Sequence, residues 1–225
     1  VLCEKPPTPT VGELRVLAAH AHARRRVLFT TWHSQYNAGV EAAREWLRTR
    51  TVCRLEVVWK EDVRRWHPDQ AWIWEPGGFG VFDPGINAFS ILTRILPQPV
   101  FVADCTLMTP ANRATPIAAR IRFGPSWQGD ADLTAELDWR QEEAETWSIR
   151  VATTDGRDLL LARGGAELVI DGERWVALPP REYQAIYERF AELLRTGRSH
   201  IDTAPLELVA DCLMRGRRIA VEPFG

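Results

Sequence analysis

Two short segments carry the side chains best suited to proton transfer. Asp83 and Asn87 lie four residues apart, just after the glycine-rich run at residues 77–80. On a helix they would share one face, and the glycines would let a ligand approach closely. Lys5 stands far upstream, directly before a proline. Carboxylate and ammonium groups can exchange protons, whereas the carboxamide of Asn87 can only form hydrogen bonds.

Asp83 also has a structural interpretation, and local sequence alone favours it. Asp followed by Pro84 and Gly85 is a common way to begin a helix, with Asp as N-cap and Pro as the first helical residue. The two interpretations are compatible, because a carboxylate can begin a helix and still face a cleft. The pattern predicts a helix that opens at Asp83 and runs to about Leu96.

Lys5 and the pair Trp32-His33 each follow a short apolar segment with the composition of a buried strand. Ligands of open α/β sheets bind outside the carboxyl ends of the strands, so we expect both positions to face a cleft. The alternatives are a surface lysine in a loop and a hydrogen-bonded histidine at a strand end.

A polar and aromatic segment follows the next predicted strand, at residues 52–59. Glu61, His67 and Asp69 lie among several tryptophans. Flat aromatic faces suit the apolar face of a sugar ring, and charged neighbours suit its hydroxyls. The spacing of these side chains matches no zinc signature, so no metal site is predicted. Alternatively, most of the tryptophans pack between sheet and helices. The tryptophans are Trp46, Trp59, Trp66, Trp72 and Trp74.

The elements that must position these residues fall into two groups. Strand and helix signals alternate over the first 50 residues, which is typical of a parallel, doubly wound sheet. Thr10 and Glu13 form a capping box at the first helix, and a second helix is predicted at residues 37–50. Beyond residue 51, a series of β-like runs, the last ending at Leu178, indicates a large, mostly antiparallel sheet. Two C-terminal helices close the chain, so the predicted class is α+β.

The composition is that of an ordinary globular protein and excludes several classes of function. Of the 225 residues, 45% are hydrophobic and 26% are charged, with a net charge of −2. Neither nucleic acid nor a membrane is therefore an expected partner. No apolar run is long enough to span a bilayer, and no signal peptide is recognised. The four cysteines form no C-x-x-C pair, which points to the cytoplasm.

Several of these segments, taken in order, resemble the glucose–fructose oxidoreductase / inositol dehydrogenase family. Glu4-Lys5-Pro6 looks like that family's E-K-P. Gly77-Gly78 and Asp83 fit its second motif, although Asn87 stands where that motif has histidine. The segments D-P-G-I-N, T-W-H, W-K-E and R-W-H-P-D-Q look most like the branch of L-arabinose and D-galactose 1-dehydrogenases. The similarity runs over nearly the whole chain.

The resemblance implies oxidation of the anomeric carbon of a D-galactose- or L-arabinose-type sugar to the lactone, with hydride transfer to NAD or NADP. It implies that the catalytic residues are Lys5, Asp83 and Asn87, and it leaves open which of Lys5 and Asp83 moves the proton. The implied cofactor contacts are Glu4, Lys5, Pro6 and Trp32. The implied sugar contacts are His33, Glu61, His67, Trp66 and Trp147.

The family's dinucleotide-binding domain carries a G-x-G-x-x-G turn after its first strand, and the 225 residues contain no such pattern. Because that turn normally holds the pyrophosphate, we expect the chain to be inactive alone. Residues 1–36 would be the remnant of a Rossmann-type domain. Residues 37–225 would bind substrate and form a homodimer through the open sheet face. The alternative is a non-catalytic sugar-binding or dimerisation module.

Overall fold

The computed structural model describes residues 1–124, 131–177 and 182–225. The helices are α1 (Val11–Ala23), α2 (Val40–Leu47), α3 (Val63–Trp66), α4 (Phe82–Ile95), α5 (Glu182–Thr196) and α6 (Ala204–Arg215). The strands are β1 (Leu2–Glu4), β2 (Phe29–Thr31), β3 (Val52–Lys60), β4 (Val102–Pro110), β5 (Ala118–Phe123), β6 (Asp132–Asp138), β7 (Thr146–Thr153), β8 (Asp158–Ala162), β9 (Glu167–Ile170), β10 (Glu173–Ala177) and β11 (Arg217–Val221).

The N-terminal segment forms the predicted strand–helix–strand unit. β1 and β2 pair in parallel, with Leu2 opposite Phe29, and α1 connects them. α1 begins with the expected capping box, in which Thr10 and Glu13 satisfy each other's backbone N–H groups. α5 returns to this unit from the end of the chain, and Phe190 stacks on Phe29 with ring centroids 6.3 Å apart. The division of the chain at residue 36 stays a prediction.

Nine strands form one large sheet in the order β10-β9-β8-β7-β3-β6-β5-β4-β11. Neighbouring strands are antiparallel, except that β3 pairs with β6 and β4 with β11 in parallel. The sheet is therefore mostly antiparallel, as predicted. β3 shows how one face is covered, because Leu55, Val57 and Trp59 are buried and alternate with Arg54 and Glu56, which are exposed.

α4 is the central helix of the core and contacts both α2 and α6. Its side chains Phe82, Ile86 and Phe89 are completely buried. A Cβ atom on Gly85 would lie 2.6 Å from Leu137 Cδ1 on β6. Glycine therefore lets α4 approach the sheet closely at the turn that carries Asp83 and Asn87.

The predicted N-cap at Asp83 is wrong. α4 begins at Phe82, its N-cap is Val81, and no side chain caps it. The preceding turn is set instead by Gly80, whose φ is +53°, and by the Val81 N–H, which donates to the Pro116 carbonyl oxygen at 2.8 Å. This start places Asp83 inside the first turn, so its carboxylate is available for contacts with distant parts of the chain.

Other elements differ from the sequence prediction in length or number. The helix expected at residues 37–50 is shorter: α2 covers Val40–Leu47 and follows a 3-10 turn at His33–Tyr36. β11 is not predicted by the sequence. Its residues are mostly exposed, and its parallel pairing with β4 joins segments about a hundred residues apart. Leu178, the end of the last predicted β-like run, lies outside the described residues.

Gly80→Ala is expected to lower the free energy of unfolding by roughly 1–3 kcal/mol. A Cβ atom there would lie 2.4 Å from the Pro116 carbonyl oxygen, at a φ that strains any L side chain. Gly77→Ala is the matched control, since its φ is +93° but no atom lies within 4 Å of the added Cβ. It should cost only the backbone strain, roughly 1 kcal/mol. Urea unfolding measures both losses, and equal losses would contradict the steric argument.

Candidate active site

The structure brings Lys5 and Asp83 into direct contact across 78 positions of sequence. The Lys5 ammonium donates to the Asp83 carbonyl oxygen at 2.9 Å and to carboxylate Oδ2 at 3.1 Å. The two side chains are 18% and 6% exposed, so water screens the pair only weakly. Lys5 follows the carboxyl end of β1, and Asp83 lies in the first turn of α4. The pair therefore lies where the N-terminal unit meets the central helix.

His67 is a second basic partner of the same carboxylate. It follows α3, and its Nε2 is 3.3 Å from Asp83 Oδ2. Its Nδ1 is 3.2 Å from Gln70 Oε1, and its ring packs against Trp139 with centroids 5.3 Å apart. We call Lys5, Asp83 and His67 the acid–base cluster. Its two basic side chains converge on one oxygen atom.

A cavity of about 640 Å³ opens beside this cluster, within the size range of small-molecule sites. Asn87, one turn after Asp83 on α4, lines it together with three of the predicted sugar contacts: His33, Glu61 and Trp147. The acid–base cluster itself is not among the lining side chains. The fold thus places the predicted proton-transfer group and most of the predicted sugar contacts in neighbouring positions.

Glu61 is the buried carboxyl group of the cavity wall. It is 4% exposed, and its oxygens accept hydrogen bonds from Trp139 Nε1 at 3.3 Å and Trp147 Nε1 at 2.8 Å. Burial raises the pKa of Glu61 to about 7, and the two indole donors oppose this shift only in part. Glu61 therefore changes charge near neutral pH, and its ionised form keeps lone pairs for the hydroxyls of a ligand.

Tryptophans form one corner of the cavity. Trp59 and Trp147 both line the wall, with ring centroids 5.9 Å apart. Trp66 packs on Trp147 at 5.4 Å and is 42% exposed, but it does not line the cavity directly. Trp46 is buried beneath the Arg50 guanidinium, as the packing alternative expects. The aromatic surface at the cavity therefore comes from β3 and β7.

The residues expected to touch a dinucleotide lie at two neighbouring strand ends. The segment 4–6 closes β1, and Trp32 follows β2. Trp32 is 1% exposed, and its indole N–H donates to the Asp202 carbonyl oxygen at 3.0 Å. Its ring is therefore covered by this chain, whereas the 4–6 segment stays accessible at the edge of the strand unit.

The side chain of His33, next to Trp32, forms part of the cavity wall. Its ring is nearly parallel to that of Tyr183 on α5, with centroids 6.3 Å apart. Burial lowers the pKa of His33, and the nearby positive charge of Lys5 lowers it further. The neutral imidazole is therefore favoured, which allows one ring nitrogen to donate and the other to accept.

Two parts of the cavity wall were missed by the sequence analysis: Asn37 and the Arg163–Gly165 loop. Asn37 Nδ2 donates to the Gly164 carbonyl oxygen at 2.7 Å, while its Oδ1 has no hydrogen-bond partner among the described residues. All three loop residues have positive φ, which a non-glycine residue such as Arg163 rarely adopts. The glycine pair at 164–165 is the sequence signal that indicates such a turn.

Within the described ranges, no group of three or more His, Cys, Asp or Glu side chains is arranged to hold a metal ion. Across the same residues, no helix combines the length and the hydropathy needed to cross a bilayer. The four cysteines are free thiols, of which Cys105 and Cys212 are buried.

Known proteins resemble this chain over its whole length, although no family profile matches it. It is 43% identical over 224 residues to the galactose 1-dehydrogenase of Pseudomonas fluorescens, covering 100% of this chain and 71% of the relative. A crystal structure of D-galactose 1-dehydrogenase from Rhizobium etli superposes with a TM-score of 0.94 and 48% identity, covering 99% of this chain and 71% of that one. A 3-ketoreductase of Actinomadura kijaniata in complex with NADP superposes with a TM-score of 0.77 and 14% identity, covering 98% and 71%.

The last of these matches shows a shared fold alone. The first two have sequence identities of 43% and 48% over at least 99% of the chain, and the Rhizobium etli structure shares the fold as well. They therefore extend through both the N-terminal unit and the nine-stranded sheet. The chain belongs to the glucose–fructose oxidoreductase / inositol dehydrogenase family, in its branch of galactose 1-dehydrogenases.

Proposed function

We propose that this protein oxidises the anomeric carbon of a D-galactose- or L-arabinose-type sugar to the lactone, with NAD or NADP as hydride acceptor. One observation carries the proposal: a buried lysine–aspartate pair lies next to a cavity whose wall offers a carboxylate and tryptophan faces. The relatives of Pseudomonas fluorescens and Rhizobium etli are galactose 1-dehydrogenases, which supports the substrate. Galactose and arabinose share their ring configuration over the common carbons, so we propose both.

The pair of Lys5 and Asp83 is proposed to accept the proton that leaves the anomeric hydroxyl. When bound, the nicotinamide dinucleotide takes the hydride from the same carbon. The ammonium of Lys5 stabilises the negative charge that develops on the sugar oxygen, since it is already oriented by two hydrogen bonds to Asp83. Asn87 contributes hydrogen bonds from the cavity wall that orient the sugar.

The remaining sugar hydroxyls are assigned to Glu61 and His33, and the ring to Trp147. Glu61 offers ionised oxygens that two indole N–H groups already hold in place. A site built to hydrogen-bond a hydroxyl rejects an epimer, because misplaced partners stay buried and unpaired. Trp147 presents an aromatic face at the wall, and Trp66 packs behind it. His67 was expected among the sugar contacts, but both its ring nitrogens face protein groups.

The nicotinamide end of a dinucleotide is proposed to bind at the end of β1. Glu4, Lys5 and Pro6 are proposed to hold the nicotinamide, because Lys5 already meets Asp83 there. Trp32 would support this strand end from beneath, since its ring is buried. For the pyrophosphate the 225 residues offer no G-x-G-x-x-G turn. We therefore propose that the chain by itself binds the dinucleotide weakly.

We also propose a homodimer formed through the outer face of the nine-stranded sheet. This face carries side chains of both signs, with the basic pair on β5 between acidic strands. They are Arg120 and Arg122 on β5, Glu136 on β6, Glu56 on β3 and Asp104 on β4. A second copy related by a two-fold axis can place opposite charges against each other on such a face.

The cytoplasm is the proposed location. Cys3 and Cys53 are partly exposed free thiols, a state that persists in reducing compartments. Fractionation of cells that express the protein from its own locus would test the assignment.

The functional test is sugar-dependent reduction of NAD or NADP, followed by absorbance, with D-galactose and L-arabinose. It uses the chain as it stands and a second form in which a dinucleotide-binding segment precedes residue 1. We expect turnover in the second form. Asp83→Asn should lower that turnover by about 10²-fold or more, because general base catalysis is typically worth that much. No turnover in either form would contradict the dehydrogenase and favour a sugar-binding module.

Glu61→Gln is expected to remove a pH dependence of stability. The pKa of Glu61 is raised from 4.5 to about 7. The free energy of unfolding of the wild type therefore falls as the pH rises from 4.5 to about 7, and the loss is complete above pH 7. The full effect is on the order of 3 kcal/mol. Glu145→Gln, on the same cavity, is the control and should keep the fall because Glu61 is intact. Unfolding free energies at pH 5 and pH 8 measure it, and a fall that persists in Glu61→Gln would disprove the assignment.

Thr134→Arg should weaken the proposed dimer at least roughly tenfold, because a long charged side chain at the centre of an interface must lose its water on association and keeps the two faces apart. Thr134 lies on β6 at the centre of the outer sheet face. Gln184→Arg, on the exposed side of α5, adds the same charge elsewhere and should leave association unchanged. Sedimentation equilibrium gives both constants, and a monomeric wild type would rule out the dimer.

A further inference from the structure

The two carboxylate oxygens of Asp83 have different surroundings. Oδ2 is 3.1 Å from Lys5 Nζ and 3.3 Å from His67 Nε2. For Oδ1, no hydrogen-bond donor is present among residues 1–124, 131–177 and 182–225, although the side chain is only 6% exposed. Oδ1 is not among the fully enclosed polar atoms that lack a partner, so it keeps access to solvent. A ligand hydroxyl can therefore reach Oδ1 and donate to it.

Both ring nitrogens of His67 already have partners within the protein. Nε2 faces Asp83 Oδ2 and Nδ1 faces the side-chain amide of Gln70 at 3.2 Å. An imidazole with Nε2–H donates to the carboxylate, and the Gln70 amide can present either its oxygen or its nitrogen to Nδ1. No ring nitrogen is therefore left for a sugar hydroxyl.

The surroundings of His67 fix its ring in this orientation. Its backbone N–H donates to the Val63 carbonyl oxygen at 2.8 Å, which anchors it to the end of α3. The ring contacts Trp139 in a tilted arrangement, with an interplanar angle of 51°, and Trp139 is fully buried. Since the side chain is 16% exposed, a rotation of the ring would break two hydrogen bonds and expose apolar surface.

We propose that His67 is a positioning residue: it holds Asp83 Oδ2 so that Oδ1 is the oxygen that accepts the proton of the anomeric hydroxyl. This inference rests on the proposed function and names Asp83, rather than Lys5, as the base. In the step, the sugar O–H bond breaks and an Oδ1–H bond forms, while the hydrogen on His67 Nε2 stays in place. Lys5 keeps its proton and stabilises the charge that develops on the sugar oxygen.

A positioning residue and a sugar contact give different results on substitution. Removing a sugar contact weakens galactose binding, whereas misplacing the base lowers kcat at unchanged affinity. Gln is the conservative replacement, because its side-chain amide nitrogen reaches about the position of Nε2 and can still donate to Oδ2. Asn is shorter and cannot. The two amides are otherwise chemically alike, so they are matched variants.

The experiment compares wild type, His67→Gln and His67→Asn. Galactose binding to the chain is measured by tryptophan fluorescence, since Trp59 and Trp147 line the cavity. The values of kcat and KM are measured in whichever of the two forms described above is active. Thermal unfolding of each variant shows whether it is folded at the assay temperature.

The expected result is an unchanged Kd for galactose in both variants. His67→Asn should lose about 10²-fold in kcat, the effect of displacing a reacting group by about 1 Å, and His67→Gln should recover at least tenfold of that loss. A Kd raised tenfold in both variants, with kcat preserved, would overturn the inference and make His67 a sugar contact. Equal kcat in all three proteins would also overturn it. A wild type that neither binds nor oxidises galactose would instead refute the proposed function, on which the inference rests.

Discussion

A buried ion pair joins the end of the first strand to the first turn of the central helix, and the site is assembled around it. Burying two charges costs several kcal/mol unless further hydrogen bonds compensate. Here Lys5 donates twice to Asp83, once to its backbone and once to its side chain. The pair fixes the end of β1 against the first turn of α4, so the geometry of the site and the packing of the N-terminal unit depend on the same contact.

The two buried carboxylates of the site have different partners. Asp83 has an ammonium and an imidazole on one oxygen. Glu61 has only two neutral indole donors, and burial raises its pKa to about 7. Two carboxyl groups in such different surroundings can take different chemical roles in one site. Trp139 connects them, since its N–H donates to Glu61 while its ring packs on His67.

Local sequence was sufficient to predict those parts of the structure that depend on residues adjacent in the chain. The capping box at Thr10 is such a case, and so are the two strands that end just before Lys5 and Trp32. It was insufficient at Asp83, where helix-start statistics predict an N-cap but the turn at Gly80 begins the helix two residues earlier. The convergence of His67 on Asp83 depends on how α3 packs against Trp139. No pattern of spacing encodes that packing.

The cavity wall shows what the site requires beyond its reactive groups. Arg163, Gly164 and Gly165 all adopt positive φ, and for Arg163 this conformation costs roughly 1 kcal/mol or more. The turn persists because distant groups hold it: Asn37 donates to the Gly164 carbonyl, and the Gly39 N–H donates to that of Gly165. A Cβ atom on Gly165 would lie 2.8 Å from Val40 Cγ2, so α2 and this turn can meet only through glycine. The strain at Arg163 therefore lies in the cavity wall, while the Lys5–Asp83 pair is held by partly buried hydrogen bonds. Under the proposed function, this division separates the residues that would bind the sugar from the pair that would take its proton.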